Sequence, residues 1–137
     1  MTAGYSGTPL IKKLGIKPGF RMAILNPPDD YSETLGKLPE NTVVDRNLDD
    51  GNFDFIHYFT REKTQLEQQI RTLKAALKFT GMLWISWPKR ASKVATDLDG
   101  NIVREIGLNA QLVDVKVCAV DPVWSGHKFV YRLKDRK

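Results

Sequence analysis

The chain is expected to fold as a three-layer α/β domain with a mostly parallel sheet and one antiparallel strand near its C-terminal end. Three observations lead there. β-prone runs alternate with helical patterns as far as Gly107, which is how a parallel sheet built by right-handed crossovers reads. Leu66, Ile70, Leu73 and Leu77 recur at helical period, so one long helix carries an apolar face that needs a sheet to dock on. The last two β-prone runs are joined by the short turn Asp121-Pro-Val-Trp-Ser-Gly126, which sends the final strand back antiparallel.

The elements follow in order. Thr8 reads as an N-cap with Pro9 at the first helical position, and Leu10, Ile11 and Leu14 stripe a short helix that Gly15 ends. A strand over 20–25 stops at Asn26-Pro27-Pro28, because two prolines cannot continue a ladder. A helical turn or two is expected over 31–35, then a short strand over 42–45 and a strongly β-prone run over 53–59. Thr60 is expected to cap a helix over 61–79, which Gly81 closes. The organising stretch follows: an apolar strand over 82–87, stopped by Pro88, opening into a loop with Lys89, Arg90, Ser92 and Lys93. Thr96 or Asp97 should cap a second amphipathic helix lined by Leu98, Ile102, Val103 and Ile106 and ended by Gly107. Over 112–120 the alternation puts Val113, Val115 and Val117 toward the core and Asp114, Lys116 and Cys118 on the other face. The return strand, 127–133, puts Phe129, Tyr131 and Leu133 on one face and Lys128 and Arg132 on the other.

The 137 residues point to one domain over 1–137, with enough chain to bury a core unaided. One cysteine excludes an internal disulfide framework and a thiolate metal cluster; a reducing cytoplasm fits. No run is long and apolar enough to span a bilayer, and the N-terminus lacks the apolar segment of a signal peptide. The net charge of +5 permits anionic partners, but the cations are spread along the chain, so solubilising charge is the simpler reading and nucleic acid is not the expected partner.

Several phrases resemble those of Rossmann-like S-adenosylmethionine-dependent methyltransferases. Lys17-Pro-Gly-Phe-Arg-Met-Ala-Ile-Leu25 is similar to their first strand, Phe53-Asp-Phe-Ile-His-Tyr-Phe59 to their fourth, and Phe79-Thr-Gly-Met-Leu-Trp-Ile-Ser86 to the glycine-then-strand phrase of their fifth. More closely, the whole chain resembles a family of small bacterial proteins of unknown function, through Tyr5-Ser-Gly-Thr-Pro-Leu10, Trp84-Ile-Ser-Trp-Pro-Lys89, Val113-Asp-Val-Lys-Val-Cys-Ala-Val120 and Trp124-Ser-Gly126. The resemblance implies a reduced methyltransferase-like domain, one strand–helix unit short, with strand order 2-1-3-4-6-5. It also exposes a departure. Working methyltransferases run from the first strand into a glycine-rich turn that lets backbone approach the cofactor; here Leu25 runs into Asn26-Pro27-Pro28, and proline has no N–H to give. Asp45 is a candidate for the acidic residue that the resemblance implies after the second strand. The expectation is therefore a domain without bound cofactor.

If the 112–120 strand runs parallel to the earlier ones, its turn lies at their C-terminal edge, where open α/β sheets bind ligands. Asn26, Lys89, Arg90, Ser92, Asp121, Trp124 and Ser125 then make a candidate crevice. The cations and Ser92 suit a phosphate or carboxylate, or simply a solvated loop; Trp124 suits a stacking platform, or a packing residue of the hairpin. Asn26-Pro27-Pro28 differs from the Asn-Pro-Pro-Tyr motif of amino-group methyltransferases, because it follows the first strand and Asp29 comes next; a rigid turn explains it. His57 and His127 form no catalytic pair, and Cys118 reads as a packing thiol. The leading function is a non-catalytic binding or regulatory domain on a degenerate methyltransferase-like scaffold, with an anionic small molecule or a protein as partner. The alternatives are a small enzyme in which Lys89 and Arg90 orient an anionic substrate and Asp121 moves a proton, and a weak nucleic-acid binder. A monomer is expected, because the charges of the 112–120 edge discourage pairing.

Overall fold

The computed structural model describes residues 9–136. Six strands form one sheet: β1 (Arg21–Leu25), β2 (Val43–Asp45), β3 (Phe53–Phe59), β4 (Leu77–Pro88), β5 (Leu112–Ala119) and β6 (Trp124–Tyr131). Their order is β2-β1-β3-β4-β6-β5, the order expected. β2, β1, β3 and β4 are mutually parallel, and β6 is antiparallel to both β4 and β5. β5 therefore runs with the parallel strands, and its turn to β6 does reach their C-terminal edge.

Among the described residues, four helices cover the sheet. α3 (Lys63–Ala76) and α4 (Gly100–Asn109) lie on one face, where Leu66, Ile70, Leu73, Val103 and Ile106 pack on Ile56, Leu83, Ile85 and Phe129. α1 (Leu10–Leu14) and α2 (Tyr31–Leu35) lie on the other, where Leu14, Tyr31 and Leu35 meet Met22, Phe55, Phe59 and Trp84. Each buried leucine or isoleucine contributes about 1.5–3 kcal/mol, so the α3 face alone supplies a large share of the docking energy. The Trp84 indole N–H donates to the Leu14 carbonyl at 3.0 Å, which ties α1 to the centre of the sheet. The expected Thr8 cap lies outside the described residues. Pro9 itself precedes the first helical residue, and Gly15 ends α1 in the left-handed conformation at φ 80°.

The boundaries of the two long helices differ from expectation. α3 stops at Ala76 and β4 begins at Leu77 with no loop between them. Leu77 already pairs with Phe53, so Lys78, Phe79 and Thr80 extend the strand instead of the helix. Gly81 does not close a helix. It sits inside β4, where a Cβ would lie 2.8 Å from the Phe53 carbonyl oxygen and 2.9 Å from Leu77 Cδ1. The Thr60 hydroxyl accepts from the Glu62 N–H and leaves the α3 terminus to Asp97, whose carboxylate accepts from the first helical N–H, Lys63, at 2.7 Å. Thr96 binds the Arg61 carbonyl. Both residues expected to cap α4 thus fasten the loop to α3, while Asp99 caps α4 through the Ile102 N–H at 2.9 Å. Gly107 lies within α4, not at its end, and faces Phe129.

β5 departs furthest from the alternation of its sequence. Val113, Val115 and Val117 are 39%, 49% and 58% exposed and do not form a core face. The cause is a bulge. Asp114 pairs with Phe129 and Lys116 with Lys128, leaving Val115 as the extra residue. A bulge shifts side-chain parity by one, so Val113 shares a face with Val130, Val117 shares the opposite face with His127, and Asp114 turns toward α4 and Arg104. β6 starts earlier than expected, at Trp124, and ends at Tyr131, so Leu133 falls beyond the sheet and is 80% exposed.

Candidate functional site

The strand order reverses between β1 and β3, and the C-terminal ends of these strands open a cavity of about 340 Å³ at the position where such sheets bind ligands. Asn26, Pro27 and Pro28 from the β1 turn, Phe59 to Glu62 after β3, Gln65 of α3 and Trp124 at the start of β6 line it. Each wall has a local cause. Asn26 takes φ 56°, a conformation asparagine tolerates, and its side-chain amide reaches the Phe59 carbonyl at 3.5 Å. The Thr60 hydroxyl pairs with the Gln65 side chain, holding the floor against α3. Trp124 stands edge-on to Phe59 with ring centroids 5.2 Å apart.

Of the residues expected in this crevice, Asn26 and Trp124 come together here. Lys89, Arg90 and Ser92 lie beyond the end of β4 and do not line the cavity, although the Lys89 N–H donates to the Val123 carbonyl at 2.8 Å and so joins the basic loop to the β5–β6 turn. The Ser92 hydroxyl donates to the Lys89 carbonyl and accepts from the Val94 N–H. Asp121 is buried, and one of its carboxylate oxygens accepts from both the Val123 and Trp124 N–H groups at 2.8 and 2.7 Å. Its carboxylate thus shapes the turn that presents Trp124. Ser125 is a ladder residue, paired with Trp87 and Ala119. Arg61, Glu62 and Gln65, which the sequence does not single out, also line the cavity; their one sequence signal is their place just after the end of a strand, β3. Asp45 ends β2 and pairs with Arg21 at 3.3 Å.

Behind Phe59 lies a buried polar row. The Tyr31 hydroxyl meets His57 Nδ1 at 2.8 Å, and His57 Nε2 meets the Ser86 hydroxyl at 2.7 Å. His57 stacks on Phe59 at 4.1 Å and is fully buried, and burial holds its pKa down at about 3. It is a neutral imidazole using one nitrogen as donor and the other as acceptor, which makes it a brace for the crevice wall. Burial also pushes the Tyr31 phenol far above its usual range. A second cavity, about 270 Å³, opens on the far side of the β1 turn between α2 and β2, lined by Ile24, Tyr31, Leu35, Val44 and Arg46. Pro27 and Pro28 line both cavities, so the diproline turn is the partition between them. Among the described residues no group of three or more His, Cys, Asp or Glu could hold a metal ion, and no helix is long and apolar enough to cross a membrane.

Sheet order, helix layers and crevice define a Rossmann-like, methyltransferase-like domain. Solved structures of the same fold include a magnesium protoporphyrin IX methyltransferase from Synechocystis PCC 6803 with bound SAH, at a TM-score of 0.57 and 9% identity, covering 89% of this chain and 78% of that one. A TehB-like SAM-dependent methyltransferase from Corynebacterium glutamicum matches at 0.55 and 13% identity, over 95% and 91% of the two chains. A fibrillarin pre-rRNA processing protein from Methanococcus jannaschii matches at 0.56 and 15% identity, over 93% and 70%. No family model and no curated protein matches the sequence. The likeness is one of fold.

Proposed function

We propose that the chain is a non-catalytic binding or regulatory domain that keeps a methyltransferase-like sheet but has given up its cofactor turn. The observation that carries this reading is the β1 turn. Two consecutive prolines remove two backbone donors at the switch point, and the same residues divide the space beside it into cavities of about 270 and 340 Å³. A turn of this kind does not fit S-adenosylmethionine: it cannot offer the run of N–H groups that lets backbone approach a ligand, and an extended nucleoside would have to cross the partition. The cavity with Trp124, Asn26 and Arg61 instead suits a smaller ligand with a flat apolar part and an anionic group. Calorimetry with S-adenosylmethionine and S-adenosylhomocysteine tests the reading. No saturable heat is expected; micromolar saturable binding together with methyl transfer to any acceptor would overturn it.

A second reading, turnover of an anionic substrate, is favoured by Arg61 at the crevice wall. In that case Arg61→Ala should abolish any activity found, whereas Asp121→Ala should act through the Trp124 turn and lower stability as well.

A further inference from the structure

On the face of the sheet that carries α1 and α2, these helices pack over β1, β3 and part of β4, and toward β5 and β6 the same face bears the exposed Lys116 and the half-buried Lys128. Trp84, Lys128 and Lys116 stand there in one row across three strands, since Trp84 pairs with Lys128 and Lys128 with Lys116. Directly opposed residues of antiparallel strands share a face at close range, and like charges in that position destabilise the sheet. The Lys116 ammonium lies 5.9 Å over the Trp84 ring. Lys17, in the turn before β1, is near enough to act on Lys128: burial chiefly, then Lys116 and Lys17, pull the Lys128 ammonium below its usual range. Lys13 and Lys116 both reach the field of Cys118 on the same face, whose thiol burial pushes up.

We infer that this lysine pair is a binding site for a phosphate group of a small phosphorylated ligand, held by Lys116 and Lys128. Two lysines on directly opposed residues suit one multiply charged anion better than a long polymer, which would call for a stripe of cations and for exposed aromatic platforms; Trp84 itself is fully buried. The anion would replace the like-charge repulsion of the opposed lysines with charge-assisted hydrogen bonds. The site is separate from the crevice at the strand ends, so its fate does not depend on that assignment.

Titration of the full chain with inorganic pyrophosphate at constant ionic strength, followed by calorimetry and by lysine side-chain NMR, tests it. One saturable site is expected, weakened at least tenfold by Lys116→Gln and by Lys128→Gln and unchanged by Lys89→Ala, with the Lys128 resonances moving on binding. Both glutamine variants should fold, since each removes a repulsion, and their melting curves check this. The inference is overturned by an absence of saturable binding, by binding that the two glutamine variants leave intact, or by a duplex oligonucleotide that binds more than tenfold tighter than pyrophosphate through the same lysines, which would make the face a nucleic-acid surface.

Discussion

Gly107→Ala separates the packing role of this glycine from the helix-ending role its sequence suggests. A solvent-facing glycine inside a helix costs about 0.8–1.0 kcal/mol relative to alanine, so the substitution would normally stabilise. Here a Cβ would stand 2.2 Å from Phe129 Cε1 and 2.6 Å from Cδ1 and Cζ, where ordinary contact begins at 3.4 Å. Phe129 is fully buried and stacked on His127 at 4.6 Å, so neither ring nor helix can yield by about 1.2 Å without disturbing its neighbours. Overpacking of this kind costs about 1–3 kcal/mol, and at its upper end it outweighs the propensity gain and leaves a net loss of about 1–2 kcal/mol. For a chain of this length that lowers Tm by several degrees. Thermal and urea unfolding of Gly107→Ala, Phe129→Leu and the double variant would show it. The double variant should be less destabilised than the sum, by about 1 kcal/mol, because leucine vacates the space the methyl needs. Gly100→Ala is the internal control in the same helix: its nearest contact would be 3.7 Å, to Trp87, and it should be neutral or stabilising. A rise in Tm for Gly107→Ala would refute the close packing of α4 on β6.

His57 is held near pKa 3 in the folded chain against about 6.5 when unfolded, so the unfolded state binds more protons between these values; stability should fall as pH drops from about 6.5 toward 3, by at most about 5 kcal/mol. His57→Gln should flatten that slope in urea titrations, and stability unchanged between pH 7 and 4 in the parent would count against the buried neutral imidazole. Tyr31→Phe leaves a ring nitrogen of His57 without its partner and should cost about 1–3 kcal/mol, read from the urea midpoint. Asp99→Ala should cost about 1 kcal/mol through the lost cap of α4, with Asp97→Ala weakening the start of α3 instead, a difference that amide exchange of Lys63 and Ile102 would resolve. Light scattering should find a monomer at micromolar concentration.

What was legible in the sequence was whatever one period or one register could carry. β3 was read at its bounds from an unbroken β-prone run, and the α3 face from Leu66, Ile70 and Leu73, because burial on one side imposes 3.6-residue spacing. Sheet order followed from the resemblance of three strand phrases. What failed were the places where two rules competed for one residue. Gly81 and Gly107 read locally as helix stops, a common use of glycine, yet each is fixed by something distant: the Phe53 carbonyl in one case and the Phe129 ring in the other. Asp97 and Thr96 have the chemistry of caps and do act near a helix start, but it is the start of α3, some 34 residues earlier. The perfect alternation of Val113, Val115 and Val117 hid a bulge that nothing in a single strand announces. In the crevice, topology alone points to Trp124 and Asn26, whereas local charge density points to Lys89 and Arg90 and away from Arg61.

The bulge bears on what this sheet can do. An exposed edge invites pairing with another chain, and β5 presents an eight-residue edge with three half-exposed valines. Regular self-pairing needs directly opposed residues on one face. With Val115 as the extra residue, Val113 and Val117 point to opposite faces, so an antiparallel copy centred on Val115 would set valine against the wrong side of the sheet and separate Asp114 from the Lys116 it would otherwise meet. The charges first expected to protect this edge are thus secondary to a backbone irregularity. The other edge, β2, is only three residues long and offers too short a ladder to template a neighbour. Deleting Val115 would restore a regular register: the shortened chain should acquire a concentration-dependent dimer in sedimentation experiments, and a variant that folds yet stays monomeric would show that the bulge is not what keeps the edge free.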